Sequence, residues 1–169
     1  PTYTTDPYSF SKQVMEEIGA YFYRLGGINS ILLRLPAVVN RHRFMGERMR
    51  DFAAENPELW RRFGRDNFWT LIDDRDSARA IDLALQADVQ GSYAVYVNDK
   101  VNFAGKPSEW LIEKHFQEVT ARKHPLKGCE TLVSYRKAEE LFGYEPEHSW
   151  ADIVDTDDNP FKTLDVELW

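Results

Sequence analysis

A tyrosine and a lysine stand four residues apart near the start of the chain, in the stretch Tyr8-Ser-Phe-Ser-Lys12. On a helix this spacing brings both side chains to the same face. A phenol ionises only near pH 10 in water, but a neighbouring ammonium group favours the phenolate. Tyr8 and Lys12 are therefore candidates for acid/base chemistry, in which a phenol takes or gives a proton while a hydride moves between a carbon centre and a cofactor.

The four-residue spacing is a weak signal when it stands by itself, because Tyr96 and Lys100 repeat it. That second pair runs from a predicted strand into a turn, where a four-residue separation does not bring side chains together. We therefore interpret the Tyr96/Lys100 pair as a chance match. For Tyr8 and Lys12 the alternative is an ordinary exposed helix start, and periodicity leaves that alternative open.

A helix over residues 7–25 is predicted to position the pair. Asp6 is a suitable N-cap, Pro7 suits the first turn, and Gly26-Gly27 is a suitable end. Apolar residues at helical spacing predict a buried stripe whose centre lies about 90° from the direction of the pair. The pair is thus expected beside the core, at the wall of a crevice. The stripe consists of Val14, Ile18, Tyr21, Phe22 and Leu25.

Strands and helices alternate in the rest of the pattern, which predicts an α/β fold. The apolar run at 28–35, ended by a proline, is typical of a strand covered on both faces in a parallel sheet. Further strands are predicted at 68–72 and 92–97, and helices within 41–65 and after Asp73 or Asp74, Ser108 and Ser134. Four tryptophans are expected to fill the core or act as lids: Trp60, Trp69, Trp110 and Trp150.

Length and composition exclude several classes of protein. The chain has 169 residues, a net charge of −7 and a pI near 5.1, which fit one globular domain and argue against a nucleic-acid surface. No apolar run approaches the roughly 20 residues of a membrane helix. Cys129 is the single cysteine, and the four histidines are not closely paired, so no metal site is predicted. These features predict a cytoplasmic protein without nucleic-acid or membrane partners.

Four segments, in order, resemble the extended short-chain dehydrogenase/reductases, a family of NAD-dependent nucleotide-sugar epimerases and dehydratases. DPYSFSKQVMEE is similar to the active-site helix of that family, and LLRLPAVVN to its next strand and loop. FWTLIDDRDSARAIDLAL is similar to a strand, acidic turn and Ala-Arg helix, and TLVSYRKAEELFGYEPEHSW to a late segment. The resemblance covers nearly all of the chain from Thr5 to about Asp152.

The resemblance implies a partial Rossmann-like sheet, doubly wound and mainly parallel, with a small mixed α/β C-terminal substrate lobe. Residues 1–40 would belong to the NAD-binding domain, and residues 41–152 to the substrate lobe with interleaved Rossmann elements. Residues 153–169 are expected to form an acidic irregular tail. The resemblance also implies a homodimer that forms through the helix of residues 7–25.

Roles for particular residues follow from the same resemblance. Tyr8 would be the acid/base, and Lys12 would favour its phenolate and hydrogen-bond the nicotinamide ribose. The loop Leu35-Pro36-Ala37-Val38 would touch the nicotinamide of NAD or NADP at the carboxyl end of its strand. The sequence departs from the family at Val38-Val39-Asn40, where many relatives have Tyr-Gly-Pro, so it does not indicate which sugar is bound.

Arginines form a second group of candidates. The segment 41–65 holds seven arginines against four acidic residues, and a guanidinium suits the diphosphate of a nucleotide-sugar. Arg41, Arg43 and Arg48 are therefore candidate substrate contacts, with a solvated helix surface as the alternative. Arg34 lies between leucines on a strand predicted to be buried, where a charge needs a partner. The partners predicted for its ion pair are Asp73, Asp74 and Asp76.

No G-x-x-G-x-x-G pattern follows a strand in this sequence. The resemblance therefore implies the C-terminal portion of an epimerase/dehydratase-type enzyme, incomplete and inactive without the glycine-rich dinucleotide-binding part. Two other functions stay open at this point: a non-catalytic NAD(P)-binding or regulatory protein on the same scaffold, and a free-standing structural module.

Overall fold

A computed structural model of the chain describes residues 4–40, 47–122 and 124–152. The predicted tail at 153–169 lies outside the described residues. The helices are α1 Pro7–Gly26, α2 Glu47–Glu55, α3 Pro57–Asp66, α4 Asp74–Gln86, α5 Ser108–His115 and α6 Arg136–Phe142. The strands are β1 Ser30–Arg34, β2 Ala37–Val39, β3 Leu71–Asp73 and β4 Ser92–Tyr96. A short 3₁₀ helix follows at Trp150–Asp152.

The described strands form two parallel pairs. β1 pairs with β4, with Arg34 opposite Tyr96, and β2 pairs with β3, with Ala37 opposite Leu71. The two residues between β1 and β2 carry the chain from one sheet to the other. Pro36 lacks an N–H and cannot extend the ladder of β1, which explains the change of sheet at this point. The predicted α/β class with parallel pairing is confirmed.

Large aromatic and aliphatic side chains fill two buried clusters. One cluster lies around the β2–β3 sheet and contains Trp60, Trp69, Phe103, Leu111 and Trp150. The other lies against β4 and contains Ile72, Ala80, Val95, Val97, Ala138 and Tyr144. Removing a side chain of this size from water contributes about 1.5–3 kcal/mol. Trp60, Trp69 and Trp150 fill the core as predicted, whereas Trp110 is partly exposed and its ring lies 4.6 Å from the Lys114 Nζ.

The ends of α1 follow the sequence signals. Asp6 Oδ1 accepts the Ser9 N–H at 2.8 Å, and hydrogen bonding by the Ser9 side chain and then its backbone holds the pKa of the Asp6 carboxyl below its ordinary value. Gly27 takes a left-handed conformation with φ of 69° and its N–H donates to the Tyr23 carbonyl at 2.8 Å. The prediction of a helix with these caps is confirmed.

The prediction of a buried stripe on α1 is wrong. None of the residues of Pro7–Gly26 is buried, and the stripe residues Ile18, Tyr21, Phe22 and Leu25 are all exposed. α1 contacts β1 and β4 through another face, which includes Gly19. A Cβ atom at Gly19 would lie 2.9 Å from Ser30 Oγ and 3.2 Å from Ser92 Oγ. The helix therefore approaches the sheet where it has no side chain.

The segment predicted as a strand at 68–72 is extended only from Leu71. Phe68 and Trp69 have φ angles of 53° and 48°, a left-handed conformation that costs bulky residues free energy. The Trp69 N–H donates to the Gly64 carbonyl at 2.8 Å, and the Phe68 ring stacks on Phe116 at 5.4 Å. These contacts form a turn that local strand propensity does not predict.

Helix starts elsewhere agree with the sequence in part. Asp73 caps α4 by accepting the Arg75 N–H at 3.0 Å, as predicted. The Ser134 hydroxyl accepts the Arg136 N–H at 3.3 Å at the start of α6. The prediction for Ser108 as a cap is wrong, because this residue lies inside α5 and its hydroxyl donates to the Glu130 carbonyl.

Candidate active site

One face of α1 both contacts the sheet and carries the predicted acid/base pair. At about 100° per residue, Tyr8, Lys12, Glu16 and Gly19 all lie within roughly 80° of one another around the helix. Gly19 lies against Ser30 and Glu16 contacts Arg34, so α1 runs antiparallel to β1. The N-terminal end of α1 is therefore at the carboxyl end of the strand.

Tyr8 and Lys12 are brought together beyond that sheet edge. The Lys12 Nζ lies 5.1 Å from the centroid of the Tyr8 ring, a cation–π distance. At about 1.5 Å per residue, Lys12 is roughly 6 Å and Tyr8 roughly 12 Å further along the helix axis than Glu16. The Tyr8 side chain is open to solvent, with 72% of the residue exposed. The predicted contact within the pair exists, and the catalytic role of the pair stays a prediction.

Arg34 binds Glu16 of α1 and not the acidic residues predicted for it. Its Nε and Nη2 each donate to a different Glu16 carboxylate oxygen at 2.7 Å. Its Nη1 donates to the Tyr96 hydroxyl at 3.1 Å, and its guanidinium carbon lies 5.0 Å from the centre of the Tyr96 ring. The prediction of an ion pair is confirmed, but the predicted partners are wrong. The Arg34 side chain leaves β1 on the face covered by α1.

The three predicted acidic partners of Arg34 have other partners near α4. Asp73 binds Arg75, whose Nε lies 2.7 Å from Asp73 Oδ1. Asp74 accepts the Asn40 side-chain amide at 2.6 Å. Asp76 is buried and lies 3.1 Å from His148 Nδ1, and its other oxygen accepts two backbone N–H groups.

Electrostatics at the Glu16–Arg34 contact follow from the hydrogen bonds. The Arg34 guanidinium holds the pKa of the Glu16 carboxyl below its ordinary value, against a smaller opposing effect of desolvation. Glu16 in turn raises the pKa of Arg34. Both groups are therefore charged at neutral pH, and their bond fixes the rotation of α1 over the strand.

A pocket of about 540 Å³ opens at the carboxyl ends of β1 and β4. Its lining comes from four stretches of the chain, at 34–36, 66–70, 96–98 and 132–134. Phe68, Leu132 and Val133 give it apolar walls, whereas Tyr96 and Asn98 supply polar groups. Carboxyl ends of parallel strands are the usual ligand-binding edge of an α/β sheet. The described pocket is thus located where a substrate or cofactor is expected.

The predicted cofactor loop is divided between this pocket and the second sheet. Leu35 and Pro36 line the pocket. Ala37 and Val38 are not in a loop, because they form β2 with Val39 and pair with β3. The prediction of a four-residue loop is therefore wrong in its second half. Pro36 ends β1, and the chain then begins β2, whose residues pair with β3.

The described residues give no support to the arginines as substrate contacts. Arg41 and Arg43 lie outside them, and Arg48 lies in the first turn of α2. The arginines of α3 bind carboxylates of their own helix, at N–O distances of 2.8 to 3.3 Å: Arg61 with Glu58, and Arg62 and Arg65 with Asp66. These contacts match a solvated helix surface.

Two pocket residues were not identified from the sequence. The sequence indicates only a chance Tyr/Lys match at Tyr96, and Lys100 lines another pocket with His124 and Glu139. Tyr96 ends β4 and Asn98 follows two residues later, and both line the pocket. A polar residue that repeats at this spacing just after a parallel strand is the signal that could have found them.

No group of three or more His, Cys, Asp or Glu side chains within 4–40, 47–122 and 124–152 is placed to hold a metal ion. In the same part of the chain, no helix has the length and apolar character required to cross a bilayer.

Solved structures share the fold of this chain. An RMD from Pseudomonas aeruginosa in complex with NADPH matches with a TM-score of 0.55 and 12% identity, over 95% of this chain and 56% of its own. The chain has the fold of the matched part of that protein. A UDP-glucuronic acid 4-epimerase from Bacillus cereus in complex with NAD matches with a TM-score of 0.53 and 17% identity. The match covers 96% of this chain and 54% of the epimerase.

A dTDP-glucose 4,6-dehydratase from Bacillus anthracis in complex with NAD also matches, with a TM-score of 0.52 and 15% identity. The match covers 96% of this chain and 52% of the dehydratase. The chain therefore spans about half the length of the structures it matches. No protein-family model and no curated protein sequence matches it.

Proposed function

We propose that this chain is the C-terminal portion of an NAD(P)-dependent oxidoreductase of the nucleotide-sugar epimerase/dehydratase type. The observation that carries the proposal is the Tyr8/Lys12 contact at the carboxyl edge of a parallel strand pair. Support also comes from three solved structures of the same fold, which are described as complexes with NAD or NADPH.

The proposed chemistry assigns proton transfer to Tyr8. The Tyr8 phenolate removes the hydroxyl proton of a substrate carbinol, and the carbon–hydrogen bond breaks with its electron pair to leave a carbonyl group. When bound, NAD or NADP supplies the hydride acceptor. Lys12 places a positive charge beside the Tyr8 ring and can donate hydrogen bonds to a ribose hydroxyl. In the reverse direction Tyr8 returns the proton to the carbonyl oxygen.

The described residues fit the nicotinamide end of such a cofactor. A phenol, an ammonium and an open sheet edge are the groups that this end requires. The Tyr8/Lys12 pair lies on the end of α1 that points to the carboxyl end of β1, and this supports the fit. The sequence holds no glycine-rich turn of the dinucleotide-binding type after a strand. We therefore propose that further polypeptide holds the pyrophosphate, and that these 169 residues bind no NAD by themselves with micromolar affinity.

The test is Tyr8→Phe in the whole gene product. Because the phenylalanine ring lacks the proton-transferring hydroxyl, we expect a loss of turnover of about 10²–10⁴-fold, with cofactor binding largely unchanged. Tyr21→Phe is the matched control, since Tyr21 is an exposed tyrosine on another face of the same helix. Turnover of candidate nucleotide-sugars is followed by absorbance of the reduced nicotinamide or by product analysis.

Two results would contradict this proposal. Turnover that survives in Tyr8→Phe would exclude Tyr8 as the acid/base. Calorimetric titration that gives micromolar NAD affinity for the 169 residues alone would exclude the need for further polypeptide. If the whole protein binds NAD but turns over none of the nucleotide-sugars, a non-catalytic NAD(P)-binding or regulatory function is favoured instead.

A further inference from the structure

The hydroxyl of Tyr96 has its acceptor side occupied and its hydrogen free. Its oxygen accepts the Arg34 Nη1–H at 3.1 Å, and Arg34 is held in place by two bonds to Glu16. A guanidinium can only donate, so the phenolic hydrogen must point to another acceptor. Among residues 4–40, 47–122 and 124–152 no acceptor for it is found. Tyr96 is 43% exposed and lines the pocket, so that hydrogen is available to a ligand.

Asn98 supports the same pocket wall from within. Its Nδ2 donates to the Asp99 carbonyl at 2.8 Å, to the Val133 carbonyl at 3.0 Å and to Thr131 Oγ1 at 3.2 Å. Two carbonyl acceptors fix this orientation of the amide, because an amide oxygen could not face them. Only 1% of Asn98 is exposed to solvent. Its Oδ1 has no hydrogen-bond partner in the described part of the chain. Oδ1 is itself closed off from solvent, so Asn98 supports the wall through its amide nitrogen, and Tyr96 is the group that a ligand can reach.

Charge in the pocket favours a neutral ligand group. Arg34 and Asp66 are the charged side chains among the described lining residues. Arg34 is neutralised by Glu16, and Asp66 accepts from Arg62 and Arg65. The exposed ring of Phe68 adds an apolar surface on which the C–H face of a ring can lie.

We propose that Tyr96 is a specificity-determining binding residue, which donates its phenolic hydrogen to an acceptor oxygen on a neutral hydroxylated ring of the ligand. The inference rests on the proposed function in one respect, namely that this ring belongs to the nucleotide-sugar on which Tyr8 acts.

The experiment measures equilibrium binding of UDP-glucose to the whole gene product by calorimetry, without turnover. Tyr96→Phe removes one hydroxyl and keeps the ring, so we expect about a fivefold to tenfold higher Kd with an unchanged Tm. Tyr93→Phe is the control, because Tyr93 lies on the same strand outside the pocket lining and donates to Gln90. It should leave the Kd of UDP-glucose within twofold.

Two ligand variations separate a direct contact from a structural effect. One monodeoxy analogue of UDP-glucose should bind the unmodified protein with a Kd fivefold to tenfold higher than that of UDP-glucose. The Kd of this analogue should be the same for Tyr96→Phe as for the unmodified protein. UDP-glucuronic acid, which carries a carboxylate on the same ring, should bind more weakly than UDP-glucose, because the pocket offers a carboxylate no unpaired cation among its described residues.

An unchanged Kd in Tyr96→Phe overturns the inference, and so does the absence of saturable UDP-glucose binding by the unmodified protein. Failure of the proposed function gives a different result. In that case Tyr8→Phe retains turnover, or the unmodified protein shows none, while the Kd difference between Tyr96→Phe and Tyr93→Phe can still be measured.

Discussion

Replacing Glu16 with glutamine is expected to loosen α1 from the β1–β4 sheet. Glu16 accepts two N–H groups of Arg34 at 2.7 Å each, and the amide of glutamine can accept only one of them. Fully exposed ion pairs contribute about 0–1 kcal/mol, and hydrogen bonds to charged groups about 1.5–3 kcal/mol. The Arg34 and Glu16 side chains are 37% and 29% exposed, which is between these cases. We therefore expect Glu16→Gln to lower the free energy of unfolding by about 1–2 kcal/mol.

Urea unfolding followed by far-ultraviolet circular dichroism measures this change. For a chain of this size the loss corresponds to a fall in Tm of roughly 2–8 °C. Glu17→Gln is the matched control. It removes the same charge from α1, at a neighbouring position that is exposed. If both variants lose equal stability, the Arg34 contact does not hold the helix and the reasoning is refuted.

The same contact predicts a dependence of stability on pH. The pKa of the Glu16 carboxyl is lower in the folded chain than its ordinary value of 4.5. Its stabilising contribution is therefore fully present above pH 4.5 and is lost as the pH falls through the folded pKa. The difference in free energy between the unmodified protein and Glu16→Gln should shrink below pH 4.5, and a difference that grows there would contradict the assignment.

Two further predictions concern backbone conformation and a buried acid. Gly27→Ala should destabilise the chain by about 1 kcal/mol because φ is 69° there, whereas Gly26→Ala should stabilise it by about 0.5–1 kcal/mol, since a Cβ atom meets nothing within 4 Å. Equal effects at the two positions, measured by urea unfolding, would contradict this account. Burial raises the pKa of Asp99, so its folded form retains a proton more strongly than the unfolded chain. Stability relative to Asp99→Asn should therefore decline as the pH rises above 3.8, and an increase would refute it.

Local signals in the sequence were sufficient for several helix boundaries but not for the faces that pack. The limits of α1 could be predicted because Asp6, Pro7 and Gly27 act on neighbouring backbone groups. Periodicity detects an apolar stripe on α1, but it does not reveal what covers the stripe. The contact face is instead set by Gly19, whose missing side chain allows close approach to Ser30 and Ser92.

In the site, contacts within one helix could be predicted from the sequence, whereas contacts between elements could not. Tyr8 and Lys12 meet because four residues separate them on one helix. The partner of Arg34 depends on how a helix lies over a strand, and no local pattern contains this information. Phe68 and Trp69 have sequence preferences for strands, yet contacts with Gly64 and Phe116 hold Phe68 and Trp69 in a left-handed turn.

The arrangement of the pocket lining has a consequence for folding kinetics. Arg34 and Tyr96, at the ends of β1 and β4, bond to each other across 62 residues of sequence, and the remaining walls come from two other distant stretches. Contacts of such long range are closed slowly, since the loop between them must first lose its conformational entropy. A partly folded chain that has formed only α1 and its neighbouring turns has no pocket. Ligand binding during refolding should thus appear with the slowest phase, and it would report when the last distant segments have joined.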